Sequence, residues 1–126
     1  MTGVGKRLLV VEDDGLIREM IALVLESADY EVICAENGFE ALSTLGNDAA
    51  FDAVISDMYM PDITGLELMG QVHETLPDMS FIILTGESNQ EIILSALSQG
   101  ARACITKSEE FDMELLDALD KLDSVT

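Results

Sequence analysis

The sequence predicts an α/β fold in which five short parallel strands form one sheet, with five helices covering its two faces. Three observations lead there. Five brief apolar runs, several rich in Val and Ile, are too short for helices and read as buried strands. Apolar residues at helical spacing fill the gaps between them. Strict strand–helix alternation with short connections then implies a parallel sheet covered on both sides.

Each element has its own signal. The first strand is Arg7–Val11, and Leu16, Ile17, Met20, Ile21, Val24 and Leu25 follow as a two-column stripe on a helix for which Asp14 is the candidate N-cap. Glu31–Cys34 is the second strand, and Phe39, Leu42 and Leu45 mark a helix opened by Asn37. Ala53–Ser56 is the third, before a helix marked by Leu66, Met69, Val72 and Leu76 that ends ahead of Pro77. Phe81–Leu84 is the fourth, and its helix, with Ile92, Ile93, Ala96 and Leu97, is closed by Gly100. Ala103–Ile105 is the fifth, leading to a helix with Phe111, Leu115, Ala118, Leu119 and Leu122. The stripes read as core faces. Residues 1–126 read as a single domain with a core of about 6–123, a short lead-in, and a tail at Ser124–Thr126.

Composition narrows the function classes. The chain has 126 residues, and 48% of them are apolar, enough for a real core. Its net charge of −19, from 25 acids against six Lys and Arg, repels nucleic-acid phosphates and anionic membranes. Cations and basic partner surfaces are favoured, although most of these acids simply solvate outer helix faces. Cys34 and Cys104 sit in apolar runs and read as buried packing thiols in adjacent strands. Neither they nor His73, the sole histidine, has metal-site spacing. No stretch approaches the ~18 apolar residues of a membrane span, and no signal-peptide pattern opens the chain, so a cytoplasmic setting is expected.

Open parallel sheets place ligands beyond the carboxyl ends of their strands. Here the first strand runs into Glu12, Asp13 and Asp14, the third into Asp57, the fourth into Thr85 and Gly86, and the fifth into Thr106 and Lys107. The second ends without such a group, which suits an outer position. Crowded carboxylates repel unless a cation sits among them, and hard Mg²⁺ takes such oxygen ligands. Lys107 is poised for an anion, Thr85 is a neutral donor, and Gly86 allows close backbone approach. Together these groups describe a phosphoryl site with a carboxylate acceptor. Taken singly, Lys107 reads as a surface lysine and Thr85 as a strand-end cap. Asp57 is harder to dismiss, because a carboxylate so near the sheet needs partners.

The stretches Leu8–Leu9–Val10–Val11–Glu12–Asp13–Asp14, Asp57–Met58–Tyr59–Met60–Pro61–Asp62–Ile63–Thr64–Gly65 and Leu84–Thr85–Gly86, with Gly100–Ala101 and Lys107, resemble receiver domains of bacterial two-component response regulators. The resemblance covers essentially the whole chain. It implies a flavodoxin-like three-layer sandwich with strand order 2-1-3-4-5. It also implies that Asp57 is the phosphoacceptor and that Asp13 and the Tyr59 backbone carbonyl bind Mg²⁺, with Glu12 helping through water. Lys107 and Thr85 would contact the phosphoryl group. The implied donor is a phosphohistidine on a sensor histidine kinase or phosphotransfer protein. The implied output is a downstream effector bound to the face of the fourth helix, fifth strand and fifth helix, roughly Ser88–Ser98 and Glu109–Leu122.

Three positions depart from the family pattern. Ser108 stands where proline commonly follows the lysine, placing the usual cis bond in doubt. Cys104 stands at the switch position where an aromatic commonly swings inward, so a Thr85–aromatic switch is not expected in its usual form. Tyr59, two residues after Asp57, puts a bulky ring where access of hydrolytic water is governed. Two other readings stay open: a docking module of the same fold that works without phosphorylation, and a Mg²⁺-dependent phosphatase. Tyr59, where such phosphatases carry a second catalytic acid, speaks against the latter.

Overall fold

The strands form where the apolar runs lie, and alternation along each run sends side chains to two different cores. In the computed structural model, residues 5–86 and 89–123 are described. The elements are β1 (Arg7–Val11), α1 (Gly15–Ser27), β2 (Glu31–Ala35), α2 (Gly38–Asn47), β3 (Ala53–Asp57), α3 (Gly65–Thr75), β4 (Ser80–Thr85), α4 (Gln90–Ser98), β5 (Ala103–Thr106) and α5 (Phe111–Asp123). The five strands pair in parallel in the order β2-β1-β3-β4-β5. This is the three-layer flavodoxin-like arrangement expected from the sequence.

Leu9, Val11, Val54, Phe81 and Ile83 point to one face, where they pack with Ala41, Leu45, Leu68, Met69, Val72 and Ala96 of α2, α3 and α4. Leu8, Val10, Ile55, Ile82 and Leu84 point to the other, against Ile21 and Leu25 of α1 and Leu115 and Leu119 of α5. Each fully buried Val, Leu, Ile, Phe or Met among them contributes roughly 1.5–3 kcal/mol relative to exposure.

Several expectations need correction. Most strands run a residue further than their apolar runs: Ala35, Asp57, Thr85 and Thr106 end β2 to β5, and Ser80 opens β4. Pairing reaches the polar residue because the ladder bonds backbone, whatever the side chain. Leu16 is 70% exposed, and Met20, Phe39 and Leu97 are also exposed. A helix lying on a sheet buries one stripe; on α1 that stripe is Ile17, Ile21 and Leu25, while Leu16 and Met20 of the second column face out and Val24 is half-buried. The cysteines are not in adjacent strands: β2 and β5 are opposite edges, Cys34 is exposed and Cys104 half-buried. Met1–Val4, Ser88 and Ser124–Thr126 lie outside the described residues.

Helix ends follow local chemistry. Asp14 caps α1 through the N–H groups of Leu16 and Ile17, and Asn37 caps α2 through Glu40 N–H. The α3 helix stops at Thr75 before Pro77, and Gly100, at φ +119°, turns the chain out of α4 into β5.

Candidate functional site

Strand order reverses between β1 and β3, since β2 lies outside β1 while β4 and β5 lie outside β3. Loops diverge at such a point and leave a crevice at the carboxyl ends. Val11 pairs with Ser56, so Glu12 and Asp57 emerge side by side. From the far edge, Lys107 N–H donates to the Thr85 carbonyl at 2.7 Å, and the side chain crosses the end of β4. Its Nζ lies 2.7 Å from Glu12 Oε1 and 3.0 Å from Asp57 Oδ1. The partner demanded by a carboxylate at the end of β3 is therefore the ammonium of Lys107, the residue after β5.

Glu12 is almost wholly buried, at 1% exposure. Burial pushes its carboxyl above the usual range, against the downward pull of the Lys107 hydrogen bond and of Asp14 N–H, and the nearby Asp57 adds to the rise. Burial alone would lower Lys107, but the hydrogen bonds to Glu12 and Asp57 outweigh it and raise its pKa. Lys107 thus stays an ammonium between two carboxylates. One oxygen from each of Glu12, Asp13 and Asp57 falls within 4.8 Å of the others. An all-carboxylate donor set at this spacing fits a hard divalent cation, and the exposed Asp13 faces solvent from which one could arrive.

The remaining candidates group around this centre. Thr85 is fully buried as the last residue of β4, paired with Thr106. At Gly86 a Cβ would meet nothing within 4 Å among the described residues, so the space beside its backbone is open. Tyr59 is 57% exposed on the β3–α3 loop. Cys104 is half-buried, packed on the side of α2, α3 and α4, and burial raises its thiol pKa. No cis peptide bond occurs among the described residues.

Ser56 and Arg18 were not singled out in the sequence, and Gly65 was quoted there only as the end of the Asp57–Gly65 stretch, yet all three support the site. Ser56, buried, donates its hydroxyl to the Asp57 carbonyl at 3.0 Å. Gly65 is needed because a Cβ there would overlap that same carbonyl oxygen, and Gly65 N–H donates to Met58 O at 2.7 Å. Arg18 Nη1 donates to the Glu12 carbonyl at 2.9 Å. A glycine eight residues after an acid and an arginine six after another were visible in the sequence, but only the fold says what they touch.

Residues 8–120 match the family described as the response regulator receiver domain. The chain belongs to that family. The receiver is 33% identical over 116 residues to the chemotaxis protein CheY of Listeria monocytogenes, covering 91% of this chain and 96% of that one. It is 34% identical over 113 residues to the transcriptional regulatory protein GlrR of Escherichia coli, covering 90% of this chain but 25% of that protein. The receiver thus spans about a quarter of that longer relative. Among solved structures it resembles the response regulator protein TrrA from Thermotoga maritima in complex with Mg²⁺-BeF, with TM-score 0.82, 39% identity, and coverage of 93% of this chain and 98% of that one. No helix among the described residues is long and apolar enough to cross a membrane.

Proposed function

We propose that this receiver stores a signal as a phosphoryl group on Asp57. The observation that carries the proposal is the Lys107 ammonium held between Asp57 and the buried Glu12, with Asp13 alongside. A structural ion pair would need only one carboxylate. Two carboxylates sharing one lysine, with a third within 4.8 Å of both, at a topological switch point suit a cation and an incoming anion.

Asp13, Asp57 and the Tyr59 carbonyl are the groups to hold Mg²⁺, with Glu12 supporting, and the TrrA complex with Mg²⁺-BeF is in keeping with that assignment. The bound ion would supply positive charge that offsets the negative charge of the transferring group. The donor is a phosphohistidine of a sensor kinase or phosphotransfer protein. An Asp57 carboxylate oxygen forms the new O–P bond as the N–P bond breaks. The bonding pair returns to the imidazole nitrogen, which the donor's own proton exchange with solvent then balances. Lys107 keeps its charge and passes from pairing Asp57 to contacting the phosphoryl oxygens, while the Thr85 hydroxyl serves as a neutral donor to them. Gly86 leaves the backbone open on that side.

The effector surface belongs on α4, β5 and α5, where Leu94 and Leu97 of α4 and Met113 of α5 are exposed. With Cys104 in place of an aromatic, the signal reaches that face by some route other than an aromatic swing. A cytoplasmic setting follows from the proposed donor.

Beryllofluoride with Mg²⁺ tests the reading. Amide resonances of Thr85, Gly86 and Lys107 are expected to shift in the wild type and to stay still in Asp57→Asn. No shift in the wild type would favour the docking module that works without phosphorylation.

A further inference from the structure

The β2 strand brings no acid to the site, yet the turn that follows it touches both loops that do. Glu12 N–H donates to the Ala35 carbonyl at 3.1 Å, which pins the β1–α1 loop to the end of β2. Arg18 secures the next peptide, at the carbonyl of the same residue. Its Nη1 holds the Glu12 carbonyl at 2.9 Å, and its Nη2 lies 3.8 Å from Glu36 Oε1, the residue after Ala35. From the opposite direction comes the β3–α3 loop. Asp62 Oδ1 accepts from Gly38 N–H at 3.1 Å and from its neighbour Ile63 N–H at 2.9 Å, and Oδ2 accepts from Phe39 N–H at 2.8 Å. Ile63 lies so close to Gly38 that a Cβ there would overlap it. The loop carrying Asp13 and the loop after Asp57 are thereby tied to one five-residue stretch, 35–39.

We propose that this β2–α2 turn is the brace of the acidic site, with Arg18 and Asp62 as positioning residues that hold the two loops at a cation-binding spacing. The proposal rests on the Asp57 reading and deepens it. The Asp13 carboxylate in the β1–α1 loop and the Asp57 carboxylate at the end of β3 repel, and left to themselves the loops beside them would relax apart. Arg18 and Asp62 oppose that by fixing backbone rather than side chains. Both act one step removed from the cation, as outer partners that orient ligands do in metal sites generally. Asp62 completes the cap of α2, since Asn37 takes the Glu40 N–H and leaves those of Gly38 and Phe39 to Asp62, but this cap comes from the β3–α3 loop and so ties that loop to the β2–α2 turn, as Arg18 ties the β1–α1 loop to Glu36.

The test compares four variants with the wild type: Arg18→Ala, Arg18→Lys, Asp62→Ala and Asp62→Asn. Three quantities are measured on each. They are the Mg²⁺ concentration giving half the shift of amide resonances near Asp57, hydrogen exchange of the Glu12 and Phe39 amides without metal, and the thermal midpoint. Asp48→Asn is the control, since Asp48 pairs with Arg7 at 2.9 Å at the other end of the sheet. The alanine variants are expected to need about tenfold more Mg²⁺, the low end of such outer-partner effects. Exchange should quicken at Glu12 in Arg18→Ala and at Phe39 in Asp62→Ala. Arg18→Lys and Asp62→Asn, each keeping one bond, should fall between and serve if the alanine variants do not fold. The control should lose thermal stability without moving the Mg²⁺ midpoint. Variant midpoints equal to wild type, or shifted no more than the control at matched stability, overturn the brace alone. A wild-type chain with no Mg²⁺ response overturns the Asp57 reading, and the brace with it.

Discussion

A glutamate with one hundredth of its surface exposed needs compensation, and Glu12 finds it in Lys107 at 2.7 Å and Asp14 N–H at 3.2 Å. The arrangement leaves Lys107 shared, so the ammonium can leave Asp57 for an arriving anion without becoming unpaired. Glu12 is thus as much a holder of Lys107 as a carboxylate for the cation. Tyr59 is the residue with the plainest consequence. Its ring is exposed on the loop that follows Asp57, two residues past the proposed phosphoacceptor, where a bulky side chain would screen a phosphoryl group from water. Tyr59→Ala is expected to speed autodephosphorylation several-fold, on the order of 1 kcal/mol in barrier, as followed by loss of labelled phosphate after loading. An unchanged rate would remove Tyr59 from the account. Acids at strand ends were legible one by one in the sequence, because strand ends are marked by the apolar runs before them. The sharing of Lys107 was not, since 95 residues separate it from Glu12.

At the scale of elements, helix starts decide where the site's loops end. Four helices open on a side-chain cap: Asp14, Asn37, Thr64 and Asn89. Thr64 and Glu67 form a reciprocal capping box, a spacing readable in the sequence. The first helical residue after the cap matters more for Asp57. Gly65 opens α3 against the Asp57 carbonyl, and a methyl group there must push β3 and α3 apart. Gly65→Ala is expected to cost about 1–3 kcal/mol, the usual range for overpacking, measured by urea denaturation. The same variant should weaken the beryllofluoride response, because the displaced atom belongs to Asp57 itself. Strands were legible almost to the residue. Helix faces were less so: the stripe on α1 has two apolar columns, and only the position of α5 and the sheet decides that Ile17, Ile21 and Leu25 go in while Leu16 and Met20 stay out.

Across the whole molecule, a charge of −19 works against compaction. Its few cations are spent locally, with Arg7 on Glu31 and Asp48 and Lys107 on the site. Raising NaCl from ~20 mM to ~0.5 M at neutral pH should therefore lift the thermal midpoint by about 5 °C through screening, as read by circular dichroism. A midpoint that falls with salt would mean that local ion pairs outweigh the general repulsion. The sequence by itself determined the α/β class, the place of every strand to within a residue or so and the polar residues that follow four of the five, because these depend on short-range periodicity and composition. The tertiary structure alone decided that Cys34 is exposed while Cys104 is half-buried, and that Lys107 reaches past β4 to pair with both Glu12 and Asp57. It also decided that Arg18 and Asp62 meet at one turn. Each of these depends on which strands become neighbours, and that is settled by packing both faces of the sheet at once rather than by any local run of residues.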